Sequence, residues 1–167
     1  MQSPHLEHFD QSEFVTVYLD EHGRQHSMDW WPLMSPRLLV MLDIFRHRWG
    51  APVMISPNRI ALGRYLGEDN ASEHNVDRWA AVLAADVFPA GMDTAEDMRL
   101  AVKTARSIGF TGIGVYPHWQ PSPGLHLGVR PNLRMGEPAY WGGIDNAEGK
   151  QIYVSIEEAC RHAPIPS

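Results

Sequence analysis

The feature that most constrains this chain is an aspartate, Asp86, in the middle of an apolar run. Its neighbours on both sides are alanine, valine and phenylalanine, and the run from 83 to 88 predicts a short buried strand. A carboxylate buried with such a strand is costly unless a positive group meets it. Either a metal cation or an arginine can be that group, and the residues alone leave the choice open. The candidate arginines are Arg59, Arg64 and Arg78.

Short strands and helices interleave along the rest of the chain. Two helices are predicted, between Ser35 and Gly50 and between Thr94 and Gly109, because each has a start signal, apolar residues at helical spacing and a glycine stop. A capping box at Ser155 begins a last short helix. The polar stretch 57–70 is too irregular for an element and predicts a functional loop. Further strands are predicted at 14–19, 52–56, 111–116, 125–129 and 151–154. The order has no regular βαβ rhythm, so it favours one α+β domain over residues 1–167.

Composition limits the function classes. A hydrophobic fraction of 44% in 167 residues suits one domain with a sizeable core. A net charge of −6 argues against nucleic acid as a partner, and the mixing of acidic and basic residues argues against a membrane surface. The sequence has no signal-peptide pattern, no apolar run near the ~20 residues needed to cross a bilayer, and a single cysteine, Cys160. We therefore expect a protein that is made in the cytosol.

Three of the nine histidines, His74, His118 and His126, lie beside strands or in Gly/Pro-rich connections, where sites usually form. Strand alternation places His126 on one face with Gly128 and Arg130, away from the intervening leucine and valine. That face is either a solvated side of the sheet or part of a site. Two histidines and one carboxylate, with one coordination position open, are the ligand set of a catalytic zinc ion. A zinc ion would also be the positive group that the buried aspartate needs.

Several short motifs follow one another between residues 35 and 142. They are Val53–Arg59, a strand ending in Ser-x-x-Arg; Ser72-Glu-His74 followed by Ala84-Ala-Asp86; Gly112–Tyr116 followed by Gly124-Leu-His-Leu127; and Tyr140-Trp141. In this order they resemble the zinc D-alanyl-D-alanine peptidases, which have the hedgehog-type and lysostaphin-like peptidase fold. The sequence is most similar to the small, phage-encoded branch of these peptidoglycan peptidases.

The resemblance implies a fold and a set of roles. The fold is a small antiparallel sheet with packed helices and a metal in a cleft across the sheet. Arg59 would steady a substrate carbonyl or carboxylate, because its charged fork suits that task. Ser72, the motif serine, would order its loop beside the substrate, which would lie along the cleft near Trp79 and Trp119. The zinc ligands would be His74, Asp86 and His126.

Two departures from the family pattern concern the site. The interval between the first histidine and the aspartate is longer than usual. Relatives also carry an acid at one of two positions that are occupied here by Gly128 and Pro123, so the general base has no matching residue. The substitutes in the sequence are His118 and Asp77. If the acid is simply missing, Gly128→Asp should restore it and raise activity.

These observations give three expectations. The leading one is a zinc-dependent peptidase that hydrolyses an amide bond in the stem peptides of peptidoglycan. The missing acids favour a second, a catalytically degenerate phage virion or tail component that keeps the fold and the zinc and contacts cell-wall peptide or other phage structural proteins. In the third, the domain binds no metal and Asp86 pairs with an arginine. The first two imply synthesis in the host cytoplasm, and the second adds association with the virion.

Overall fold

The computed structural model describes residues 4–130 and 138–164. Its β structure is a two-stranded hairpin and a six-stranded sheet. The hairpin is β1 (Val15–Leu19) with β2 (Gln25–Asp29). The strands of the large sheet are β3 (Val53–Ile55), β4 (Ala84–Pro89), β5 (Gly112–Tyr116), β6 (Gly124–Gly128), β7 (Ala139–Asp145) and β8 (Gln151–Val154). Their spatial order is β3-β4-β6-β5-β7-β8.

The large sheet is mixed. Its neighbouring strands run antiparallel except β5 and β7, which are parallel. β7 lies on the far side of β5 from β6 and runs parallel to β5. The predicted α+β class is confirmed, and the expectation of an antiparallel sheet is wrong at this one pair.

Three of the four helices in the described residues begin close to the signals in the sequence, and the short helix Val76–Trp79 lies where no helix is predicted. They are α1 (Pro36–Trp49), α2 (Val76–Trp79), α3 (Ala95–Ile108) and α4 (Ile156–Arg161). Gly50 and Gly109 end α1 and α3 in the left-handed conformation, with φ of 73° and 103°. Thr94 and Asp97 form a reciprocal capping box at the start of α3. Local start and stop chemistry therefore predicts these two helices well.

The three longer helices cover one face of the sheet. α1 packs on β4 and α3, while α4 packs on β5 and β7 and α3 contacts β5. The apolar side chains of the central strands point toward these helices and are buried in the core, among them Val87, Ile113, Val115, Leu125 and Leu127. Because side chains alternate along a strand, Asp86 and His126 lie on the opposite face.

Candidate metal centre

Strand register brings Asp86 and His126 together on the face that the helices leave free. The two residues are directly paired across β4 and β6, and the same row continues to Gly114 on β5 and Trp141 on β7. Opposite residues in such a pair have Cβ atoms about 4.5–5.5 Å apart, so their side chains meet. The face predicted for His126 from strand alternation is confirmed.

The third member, His74, comes from a loop that is pinned to the sheet by backbone hydrogen bonds. Arg64 N–H donates to His74 O at 2.8 Å, and Val76 N–H donates to Arg64 O at 2.8 Å. The N–H of Asp86 itself donates to Ala61 O at 2.9 Å. The loop is irregular in sequence, but these bonds fix His74 over the aspartate.

The three side chains converge on one point. His74 Nε2 and His126 Nδ1 are 3.1 Å apart, and they lie 3.4 Å and 3.1 Å from Asp86 Oδ1. The other nitrogens are already engaged, since His74 Nδ1–H donates to Leu62 O and His126 Nε2–H donates to Glu73 Oε2. When the rings are neutral, these bonds keep the hydrogens on the outer nitrogens, so both inward nitrogens have lone pairs that can face an ion.

These separations fit a tetrahedral metal. Zinc bonds of about 2.0–2.2 Å at tetrahedral angles place ligand atoms about 3.3–3.6 Å apart, close to the distances found here. All three side chains are buried, and their ligand atoms lie within 4.8 Å of one another. The group could hold a metal ion without rearrangement of the sheet.

Charges around the ring of His126 are balanced. Burial opposes charge on Asp86, but the positive charge and hydrogen bonds of His74 and His126 outweigh it and hold the pKa of Asp86 well below its usual range. Burial likewise opposes charge on His126, yet its hydrogen bonds to Asp86 and Glu73 raise its pKa to about 9. The pKa of Glu73 is lowered, because hydrogen bonds and charges from His126 and Arg130 exceed the effect of burial. Without metal, an imidazolium therefore lies between two carboxylates at neutral pH.

Arg64, one of the three candidate arginines, lies beside Asp86, and Arg59 does not. Its Nη2 lies 3.9 Å from Asp86 Oδ2, and its Nε–H donates to Ile60 O at 2.8 Å. Arg59 is exposed, with its guanidinium 5.8 Å from the ring centre of Tyr18, and it is not among the residues that line the cleft. Both histidines are closer to Asp86 than Arg64 is. Arg64 is therefore only one of the groups that offset the buried negative charge of Asp86.

A cleft of about 950 Å³ opens above the three residues. One wall is aromatic, and within it Trp119 stacks on Tyr116 with ring centres 3.9 Å apart. Tyr116 Oη accepts a hydrogen bond of 2.7 Å from Trp141 Nε1–H. Ser72 also lines the cleft, whereas Trp79 does not and instead donates to the backbone oxygen of Ser72 at 2.8 Å. The described lining includes Ser72, His74, Asp86, His126, Arg64, Phe88, Tyr116, Trp119, Trp141 and Tyr153.

The two substitute bases lie elsewhere. His118 Nδ1 accepts from Asp145 N–H at 2.9 Å and is not part of the cleft lining. Asp77 Oδ2 accepts from Gly67 N–H at 2.8 Å and helps to fold the loop. Neither residue contacts the three convergent side chains, so their role as base stays a prediction.

Glu73 is the site residue that sequence reasoning missed. It is only 5% exposed, and its two oxygens accept from His126 Nε2 and from Arg130 Nε at 2.8 Å and 2.9 Å. It stands between the serine and histidine of the motif, where the pattern allows any residue. The one available signal was an acid adjacent to a predicted metal ligand.

No protein-family model, curated protein or solved structure matches this chain. Among the helices of residues 4–130 and 138–164, none is both long and apolar enough to span a bilayer. Evidence on function therefore comes from the geometry of the site and from the motifs.

Proposed function

We propose that this protein is a zinc-dependent hydrolase that cleaves an amide bond in a peptide substrate, with the hedgehog-type fold of the D-alanyl-D-alanine peptidases. The observation that carries the proposal is the convergence of His74, Asp86 and His126 at near-tetrahedral separations on the floor of an open cleft. A structural zinc site is closed by four protein ligands, whereas three ligands facing a cleft leave a position for water or substrate.

Zinc in this position would supply Lewis-acid polarisation of a carbonyl oxygen and a lowered pKa for water. The chain supplies the remaining groups. Arg64 presents a guanidinium beside Asp86, where it can bind a carbonyl oxygen or a terminal carboxylate of the substrate. The hydroxyl of Tyr116 accepts from Trp141, so its own proton is free to donate into the cleft. Burial raises the pKa of Tyr116, which keeps that proton in place.

The substrate class rests on the motif resemblance and on the shape of the cleft. An open cleft with an aromatic wall admits an extended peptide, and Trp119, which is partly exposed and stacks on the buried ring of Tyr116, offers apolar surface to its backbone and side chains. The D-alanyl-D-alanine peptidases, which the motifs resemble, act on peptidoglycan. We therefore assign the stem peptide of peptidoglycan as the substrate, and a phage as the source of the activity.

One observation favours a second candidate, a degenerate member that binds zinc and cell-wall peptide without cutting. Among the described residues that line the cleft, Asp86 is the only carboxylate, and it is used as a ligand. General-base assistance is typically worth about a hundredfold to ten-thousandfold in rate, so its absence would leave slow hydrolysis or none. This candidate would suit a virion or tail component.

Metal analysis combined with muropeptide digestion tests both candidates. The peptidase predicts about one zinc per chain and amide cleavage that His126→Ala abolishes together with the zinc. His118→Ala is the matched control, because it removes a histidine outside the cleft. Zinc uptake and muropeptide binding without cleavage would select the degenerate member. A wild-type chain that takes up no zinc contradicts both candidates, and cleavage lost in His118→Ala with zinc retained would return His118 to the role of base.

A further inference from the structure

The carboxylate of Glu73 is packed against the sheet at the outer edge of the candidate metal centre. Its Oε2 accepts from His126 Nε2–H at 2.8 Å, and its Oε1 accepts from Arg130 Nε–H at 2.9 Å. The side chain is almost completely buried, with 4% of it exposed. Arg130, which is itself partly exposed, offsets the negative charge, so the carboxylate can remain buried beside the histidine.

Two glycines make room for this carboxylate. Gly112 and Gly128 are directly paired across β5 and β6, and a Cβ atom on either one would overlap Oε2 of Glu73. Any side chain at position 128 would therefore compete with Glu73 for the same space beside His126. Relatives in the resembling family can carry an acidic residue at the position of Gly128. Here the carboxylate of Glu73, which comes from the loop, occupies that space.

We propose that Glu73 is a positioning residue for the metal centre, an inference that rests on the proposed zinc site. Glu73 keeps the hydrogen of His126 on Nε2, so that the lone pair of Nδ1 faces His74 and Asp86. It also fixes the plane of the ring. Metal-bound histidines commonly donate their second N–H to a carboxylate or carbonyl, and loss of that partner typically costs about 10- to 100-fold in metal affinity.

The geometry separates this role from catalysis. Glu73 contacts the ring nitrogen that faces away from Asp86, and it does not line the cleft. It therefore acts on the ion through His126 and does not touch substrate. Gly128 leaves the space that the carboxylate of Glu73 occupies.

A set of four variants tests the inference by zinc affinity, measured by chelator competition, and by the visible spectrum of the cobalt(II) form. Glu73→Ala should weaken zinc binding about 10- to 100-fold and alter the cobalt spectrum, because His126 loses the partner that fixes its tautomer. Glu73→Gln keeps the shape and should lose less. Glu73→Ala combined with Gly128→Asp returns a carboxylate to the same space and should recover most of the affinity. Glu157→Ala is the control, since that glutamate pairs with Arg99 at the surface.

The outcomes distinguish the role of Glu73 from the existence of the metal centre. Wild-type zinc affinity and an unchanged cobalt spectrum in Glu73→Ala overturn the role of Glu73 and leave the proposed function intact. Loss of affinity in Glu73→Ala without recovery in the double variant also contradicts it, because the effect would then not follow the carboxylate. A wild-type protein that binds neither zinc nor cobalt overturns the metal centre itself. Thermal unfolding of each variant identifies any loss of zinc affinity that is due only to misfolding. If Glu73→Ala is misfolded, the zinc affinity and cobalt spectrum of Glu73→Gln decide whether Glu73 positions His126.

Discussion

Near Asp86, each buried charged side chain lies between two side chains of opposite charge. His126 bridges Asp86 and Glu73, and the two carboxylates have arginines at their outer oxygens, Arg64 at 3.9 Å and Arg130 at 2.9 Å. Removing one member of such a buried pair typically costs about 3–5 kcal/mol, because the remaining charge is left uncompensated. The site can exchange the proton of His126 for a metal ion without changing this order of charges.

Arg64 is predicted to be the arginine that binds substrate. Because its guanidinium faces the cleft beside Asp86, Arg64→Ala should weaken muropeptide binding or turnover roughly 10- to 100-fold, equivalent to about 1.5–3 kcal/mol for a hydrogen bond to a charged group. Arg64→Lys should recover only part of it, since a lysine has no planar fork. Arg59→Ala is the matched control and should change binding less than twofold. Equal or larger losses in Arg59→Ala would return the substrate role to that residue.

Gly128→Asp on its own is predicted to be harmful, which reverses the expectation from the sequence. The new Cβ would overlap Oε2 of Glu73, and a second carboxylate would lie beside the first. Overpacking typically costs about 1–3 kcal/mol, and like-charge repulsion adds to it. Urea unfolding should show lower stability and a muropeptide assay should show no gain in rate. Gly128→Ala separates the steric part from the charge. A stable and more active Gly128→Asp protein would mean that Glu73 moves aside easily.

At the scale of elements, sequence patterns predict the three longer helices and six of the eight described strands, but not α2, β2 or β7. α1 and α3 follow from their caps, and β4, β5 and β6 follow from runs of apolar residues. β7 contains Gly142 and Gly143, which weaken a strand pattern, and β2 is polar and largely exposed. The glycines of β7 have packing reasons that only the fold reveals, because α4 lies against one and the ring of Tyr116 against the other.

The same limit applies to the site. The three candidate metal ligands could be predicted from their residue types and motif order, and the convergence of these side chains is confirmed. Glu73 is not predicted, and Arg64 is only one of three candidate arginines, because both are placed by the path of the 57–75 loop and not by strand alternation. A loop path depends on long-range backbone bonds such as Arg64 N–H to His74 O, which leave no local signature in the sequence.

Gly142 is predicted to be the contact that seats α4 on the sheet. A Cβ atom there would lie 2.7 Å from the backbone oxygen of Ser155 and would overlap the side chain of Ala159. Backbone atoms cannot shift as a flexible side chain can, so Gly142→Ala should lower the free energy of unfolding by about 1–3 kcal/mol. Zinc binding should not change, because α4 covers the opposite face. The exposed turn residue Ala147 gives the control Ala147→Ser, expected within about 0.5 kcal/mol of wild type. A stability loss in the control equal to that of Gly142→Ala would remove α4 from the explanation.

In the whole molecule, the sheet separates two regions that should respond differently to metal. The helices and the main core lie on one face, while the loop from 57 to 75 lies over the other. The loop meets the sheet through the backbone bond from Asp86 to Ala61 and through the side chains of Glu73 and His74. A metal ion held by His74, Asp86 and His126 would join that loop to β4 and β6, whereas the helical face would gain nothing directly. Metal removal should therefore loosen the loop before it affects the core.

Zinc is predicted to raise the melting temperature and to protect the loop selectively. A ligand at about 1,000 times its Kd adds about 4 kcal/mol to the free energy of unfolding, which corresponds to roughly 8–16 °C for a domain of this size. Hydrogen exchange with zinc and after chelation should differ mainly in residues 57–75, β4 and β6, and little in α1 and α3 below the global unfolding limit. His74→Ala should abolish both the shift and the added protection, because it removes the one candidate metal ligand that the loop supplies. A zinc-induced shift that persists in His74→Ala would place the metal elsewhere, and equal protection of loop and helices would show that the two faces unfold as one unit.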